Sequence, residues 1–370
     1  MSSAASVSPQ PKRQIRLQEG GLVLAIVFFG VLLSIFGGSV KTPQFEIGPD
    51  GARHRVFITS ATGERTPAFV EKNKFLNAQN LAQLAKDTSF IAIMAVGATI
   101  VIISGGIDLS VGAIYALASV LGALVFHSST GGGIWPGVFA CIGVAVGCGL
   151  VNGGMIVALG VHPFIITLGT MAVFRGVAFV VTKGQSVGDF PPHFRDLVRY
   201  ETSGGLSLVP LAVMVAVAIA GSIFLGRLAI GRRVYAIGGN ELASRFSGIR
   251  VERVKLGVYV CAGFAAGIAS LIALGYYGAA TSGDGQGYEL NVIAASVVGG
   301  ASLSGGRGTA LGAVLGALLI QMISSGIVIL GIDQNYSQII IGTVVILAVV
   351  LDQLNNWLAK RRLAARAGRK

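Results

Sequence analysis

The sequence predicts an all-α polytopic membrane protein of about ten transmembrane helices, and three observations predict it. First, 53% of its 370 residues are hydrophobic and only 12% are charged, and the mean hydropathy is +0.75. A soluble domain carries about twice that charged share, roughly 25%. Second, the apolar residues fall into successive runs separated by polar loops, most of them long enough to cross a bilayer. Third, many of the 54 glycines lie inside those runs, where small residues let helix backbones approach closely. The formal charge of +12 sits mostly in loops and tails. It reads as an orientation signal and not as a nucleic-acid footprint. Cys141, Cys148 and Cys261 all fall in apolar runs, with neither metal-ligand spacing nor a disulfide framework.

Residues 1–20 are polar, with Lys12, Arg13 and Arg16 just ahead of the first apolar run. They are expected to form a disordered cytoplasmic tail. Residues 21–36 read as an uncleaved first span, because no small-x-small cleavage site follows them. Residues 38–88, the longest polar stretch, are expected to be an outer loop. They hold seven basic residues and five acids; a long loop of mixed sign departs less from the positive-inside rule than a short one would. Further spans are expected at about 89–104, 111–127, 134–159, 163–182, 208–226, 256–277, 290–303, 309–331 and 337–354, which makes 21–354 the membrane domain.

The loop at 227–255 fixes the orientation. It holds Arg227, Arg232, Arg233, Arg245, Arg250, Arg253 and Lys255 against Glu241 and Glu252, and short loops so rich in Lys and Arg stay inside. The tail at 355–370 is equally basic, with Lys360, Arg361, Arg362, Arg366, Arg369 and Lys370. Alternation from an inside N-terminus places both clusters inside. The acidic loop 278–289 then lies outside, and the loop 183–207 is neutral. Within the basic loop, Asn240 is expected to cap a short helix that Gly248 stops. Such a surface helix suits docking to a cytosolic partner or serves only topology.

Two glycine-rich breaks interrupt the apolar runs. One contains Gly105, Gly106, Asp108 and Ser110; the other contains Gly299 and Gly300 and runs on through Ser302, Ser304 and Arg307. Written together, GGIDLSVGAIYALASVLGAL and GGASLSGGRGTALGAVLGAL look like diverged copies. Interrupted helices at matching places point to a transport site. Broken backbone at membrane depth is tolerated where it is buried in protein or lines water. Asp108 is expected to cap the helix that follows, with contact to a solute as the alternative. Arg175 lies deep in a span, needs a carboxylate or carbonyls, and has Asp108 as one candidate partner. Pro163 suits the first turn of its helix, and His162 before it reads as a polar interfacial residue. No Walker P-loop, HExxH motif, Ser-His-Asp set or Cys/His cluster stands out. The chain is therefore expected not to be an enzyme and to hold no metal.

Four motifs together resemble the membrane permeases of bacterial ABC importers for simple sugars, the ribose, xylose, arabinose and galactose group. They are residues 105–112 (GGIDLSVG); Asn152-Gly153 with residues 162–170 (HPFIITLGT); residues 235–241 (YAIGGNE) with Ser247-Gly248-Ile249; and Gly287-Tyr288-Glu289-Leu290 with residues 294–303 (AASVVGGASL). Together they cover about 75–355, most of the chain, and their order at family-like spacing is what makes the resemblance specific. The resemblance implies a type II importer-like permease in the bacterial inner membrane, with both termini cytoplasmic. It implies a cytosolic ABC ATPase docked on the 235–249 segment through Gly239, Asn240, Glu241, Ala243, Arg245 and Gly248. It implies a translocation pathway drawing on Gly105, Gly106, Asp108, Ser110, Asn152, Pro163, Phe164, Thr167, Arg175, Glu289, Ser296, Gly299 and Gly300. An extracytoplasmic sugar-binding protein and a second permease subunit, identical or related, would complete the assembly within membrane lipid. ATP and Mg would be used by the partner ATPase, with no cofactor on this chain. The first outer loop, residues 38–72, is longer than the family leads one to expect and is a candidate to enlarge the binding protein's docking surface. The resemblance leaves open another small polar solute. An ion-coupled transporter would need more intramembrane acids than Asp108. A non-transporting scaffold would not need two broken helices.

Overall fold

The computed structural model describes residues 12–47, 53–59, 65–128, 133–202 and 205–367. Helix α1 (Lys12–Phe36) leads into six short strands, β1 (Ser39–Pro43), β2 (Phe45–Ile47), β3 (Arg53–Arg55), β4 (Phe57–Thr59), β5 (Arg65–Pro67) and β6 (Phe69–Asn73). They pair as three two-stranded antiparallel ribbons, β1 with β6, β2 with β3 and β4 with β5. Helices α2 (Ala78–Ile103), α3 (Val111–Ser128), α4 (Trp135–Leu159) and α5 (Pro163–Thr182) follow. A seven-residue helix, α6 (Pro192–Val198), precedes α7 (Leu208–Arg227). The basic loop folds as α8 (Ala229–Gly239) and α9 (Glu241–Phe246). Then come α10 (Val251–Tyr277), α11 (Tyr288–Val298), α12 (Ala310–Ile329) and α13 (Ser337–Ala367).

Eight of these helices are long and apolar enough to cross a membrane; α11 and the apolar part of α13 occupy the places of the other two expected spans. Local sequence sets the boundaries. Asn77 caps α2 by accepting from the Asn80 amide, and Thr309 caps α12 by accepting from the Gly312 amide. Gly160 and Gly278, in left-handed conformation, end α4 and α10.

The core is built on α2 and α10. In α2 the membrane-length window is 94% buried, against 11% for α1, which packs on α12 at the rim. Such burial leaves that stretch of α2 almost no surface for lipid, whereas its first turn is exposed at Leu81. Helix α4 rides unusually close to α10, because a Cβ on Gly149 would overlap the Tyr259 carbonyl and one on Gly263 would overlap the Ala145 carbonyl. These glycines supply the close van der Waals contact that holds helices together in lipid.

Several expectations need correction. The helix starts at Lys12, so the second half of the supposed tail 1–20 is ordered; residues 1–11 lie outside the described residues. In the polar stretch 38–88, residues 39–47, 53–59 and 65–73 form a β cap and the last residues belong to α2; residues 48–52 and 60–64 lie outside the described residues. The basic stretch 355–370 continues α13 through Ala367, with 368–370 outside the described residues. The span expected at 290–303 is the 11-residue α11, about 16 Å long at 1.5 Å per residue and so half a bilayer. The segment before it compensates. Residues 279–287 turn back into the bundle, where Ser282 is buried and Gly285 packs on Gly112 and Tyr115.

Candidate translocation and coupling site

The first break, residues 104–110, is a turn at Ser104-Gly105 followed by irregular backbone that crosses the flank of α10 between the end of α2 and the start of α3. Buried polar side chains replace the helix hydrogen bonds it lacks. The Tyr259 hydroxyl donates to the Ile107 carbonyl at 3.2 Å, and the Thr167 hydroxyl lies 3.3 Å from the same oxygen and 3.0 Å from the Pro163 carbonyl. Ser110 donates to Asp108 Oδ1 from both its amide (2.9 Å) and its hydroxyl (2.6 Å). Asn152 Nδ2 donates to the Ser110 hydroxyl at 2.7 Å. Asp108 and Asn152 are buried, and Asp108 Oδ2 and Asn152 Oδ1 have no hydrogen-bond partner. Asp108 thus braces Ser110 in a local turn and does not cap α3, and it does not pair with Arg175. Gly106 fits against Tyr259, and Gly105 takes φ +84° facing open space. Pro163 opens α5 with His162 Nδ1 accepting from the Phe164 amide, as a polar residue at a helix start should. Phe164 itself is 44% exposed.

Arg175 takes the carbonyl half of its expected choice. Its guanidinium donates to the Ser282 carbonyl at 2.9 Å and to the Asp284 carbonyl, pinning the turned-in segment. Asp284 closes the turn from within, accepting from the Thr281 amide (2.9 Å) and hydroxyl (2.6 Å). Glu289 Oε1 accepts from the Gly287 amide, and its Oε2 is buried without a partner where Gly112 leaves room for it. Behind this turn lies a cavity of about 260 Å³ lined by Tyr115, Ser119, Tyr277, Asp284 and Tyr288 among others. Sequence reading missed these tyrosines, because each is spaced as an ordinary core aromatic.

The second break is compact. Ser296 donates to the Ala95 carbonyl of α2. Gly299 and Gly312 sit backbone to backbone, Gly316 lies against the Ala295 carbonyl, and Gly300 turns the chain at φ +96°. The two breaks touch, since the Gly306 amide donates to the Ile103 carbonyl at 2.8 Å.

The basic loop meets both breaks at that contact. A Cβ on Gly238, at the end of α8, would overlap the Ile103 carbonyl and the Gly306 amide. Tyr235, one turn earlier, donates to the Gly308 carbonyl at 2.7 Å. Beyond this junction the predicted short helix forms. Asn240 accepts from the Ala243 amide at 2.9 Å, and Gly248 ends it at φ +81°. Gly239 is the last residue of α8, with open space where a side chain would stand, and Asn240 makes the turn in extended conformation. Glu241 and Arg245 pair with each other at 3.4 Å, while Arg245 also binds Glu252 and Lys255 binds Glu241 at 2.7 Å. The Lys255 hydrogen bond, with Arg245 behind it, holds the Glu241 carboxyl below the usual carboxylate range. These charges therefore tie α9 to α10. The side chains that α9 leaves free are Leu242, 68% exposed, and Phe246, 90% exposed. Being four apart, they share one helix face, and the charge pattern had drawn notice away from them.

The family model described as "Branched-chain amino acid transport system / permease component" matches residues 80–349. The ribose import permease of Escherichia coli K12 is 38% identical over 285 residues, covering 75% of this chain and 87% of that one. The D-allose transport system permease of the same strain is 36% identical over 301 residues, covering 80% and 89%. An autoinducer 2 import system permease of Yersinia enterocolitica is 32% identical over 306 residues, covering 79% and 91%.

Proposed function

This chain belongs to the branched-chain amino acid transport system / permease component family, is a multi-pass ABC importer permease, and from that premise we propose what it carries and how it is driven. It imports a monosaccharide across the bacterial inner membrane. It does so as one of two permease subunits, with both termini cytoplasmic. The ribose and D-allose permeases are similar over most of their length, and the tyrosine cavity offers hydroxyls and ring faces suited to a polyhydroxylated solute. The autoinducer 2 relative supports a second reading, another small polar solute on the same machinery.

The observation that carries the mechanism is the Gly238 junction. A cytosolic ATPase grips the Leu242 and Phe246 face of α9. The charge network makes α9 and the start of α10 move as one piece. The stroke then passes through Gly238 and Tyr235 into the ends of α2 and α12, where the two breaks meet. Energy comes from ATP and Mg at the ATPase; this chain supplies the pathway. An extracytoplasmic binding protein delivers the solute to the opposite end, so solute contacts within the pathway need only be weak.

The test is reconstitution with the native ATPase and binding protein. Uptake is expected to require both partners and ATP, and Phe246→Asp is expected to abolish ATPase capture while the permease stays folded. Uptake driven by an ion gradient alone, or full ATPase capture by Phe246→Asp, would overturn the reading.

A further inference from the structure

The β cap contains a threefold repeat. Its three ribbons meet at a hub where the Gln44 amide donates to the Ala68 carbonyl, Ala68 to Val56 and Val56 to Gln44, at 2.8, 2.8 and 2.9 Å. This closed ring of backbone bonds joins positions 44, 56 and 68, at equal intervals along the chain. The sequence repeats with it: each hub residue is followed by a phenylalanine (Phe45, Phe57, Phe69), and the third residue before it is basic (Lys41, Arg53, Arg65).

The repeat around the hub gives the three phenylalanines equivalent places in their ribbons, and so one side of the cap. Phe45 lies opposite Arg55, Phe57 opposite Pro67 and Phe69 opposite Pro43. Cross-strand partners share a face, as do residues two apart on a strand. Each ring therefore shares its ribbon's face with a basic residue, Phe69 with Lys41, Phe45 with Arg55 and Phe57 with Arg65, and among the described residues the acid on these faces is Glu71, opposite Lys41. Each ring is about half exposed, at 54%, 51% and 52%. The opposite face is exposed too, at Ile58 and Val70. Among the described residues of the cap only Ala68, at the hub, is buried, and ribbons this short with so little core need a surface to lie on.

We propose that this surface is the lipid bilayer, with the cap lying phenylalanine side down among anionic headgroups. The cap is rooted where α1 ends: Asn73 Nδ2 donates to the Ser34 carbonyl at 2.7 Å, and the Lys74 amide to the Gly38 carbonyl. Helix α1 is the least buried span, and Ile35 and Phe36 at its end are each 68% exposed. The lipid-facing surface of α1 therefore runs directly into the cap. Aromatic rings settle at headgroup depth, and clustered cations draw anionic lipid to them. The contact would steady α1, whose helix packing is otherwise on α12. The inference needs the membrane reading but not the identity of the solute.

The test uses the full chain in vesicles of phosphatidylcholine and phosphatidylglycerol with brominated acyl chains. Phe57→Trp is expected to lose most of its added emission to bromine quenching, and Ile58→Trp, on the opposite face, to keep most of it. Phe45→Trp and Phe69→Trp repeat the measurement should one variant fold poorly. Omitting phosphatidylglycerol is expected to relieve the quenching. Equal quenching on both faces, or quenching indifferent to phosphatidylglycerol, would overturn the proposal. So would an unquenched Phe57→Trp that is shielded only when the binding protein is added, which would assign the face to that protein. Uptake in the same vesicles reports separately on transport.

Discussion

The two glycine breaks look like copies in sequence and are built on different principles in space. The first spreads its flanking helices to either side of α10 and is held open by side chains: Asp108, Ser110, Asn152, Thr167 and Tyr259. The second folds its flanking helices onto each other, and its glycines bring backbone against backbone. Similar glycine spacing therefore serves a polar cross-brace in one place and bare packing in the other. The difference also suits their meeting point. A compact turn and a braced crossing touch at Ile103 and Gly306, so a push at Gly238 reaches both.

Substitutions sharpen this contrast. The largest effect is expected at the second break. Gly312→Val would drive a side chain into the Gly299 carbonyl. Backbone cannot yield as a side chain can, so the loss should exceed the usual overpacking cost of about 1–3 kcal/mol. Thermal unfolding of the purified protein should show it, together with lost uptake; a near-native melting curve would mean that α11 and α12 are not in close contact. At the first break the sensitive positions are polar. Asn152→Ala removes the donor to Ser110 and leaves the Asp108 turn less satisfied, at about 1–3 kcal/mol. Unfolding is again the measurement, and Asn152→Asp, which keeps the shape without the donor, should not restore stability. The smallest effect of the three is expected at Gly105→Ala. Nothing lies within 4 Å of the added methyl, but φ is +84°, so only left-handed strain of about 1–2 kcal/mol applies. If Gly105→Ala proved as damaging as Gly312→Val, the two breaks would not differ as described.

Much of this architecture can be read in the residues. Apolar run length and the basic clusters locate the span positions, and Asn240 and Gly248 frame α9 because capping is local chemistry. What the chain hides is long-range. Tyr259 is spaced like any core residue, yet its hydroxyl holds the first break. Gly238 is one glycine among many until its neighbours are known. Arg175 announces a need for partners, but the turned-in carbonyls that satisfy it lie more than a hundred residues away. The half-length of α11 is concealed because the apolar composition continues past Val298, where glycines end the helix.

The most direct test of the central claim is Gly238→Ala in the complete reconstituted importer, with ATP hydrolysis and uptake measured on the same vesicles. One methyl there wedges α8 away from both breaks while leaving the exposed α9 face intact. ATP hydrolysis should persist and uptake should collapse. Uptake at the unsubstituted rate would contradict the claim that the stroke passes through this junction.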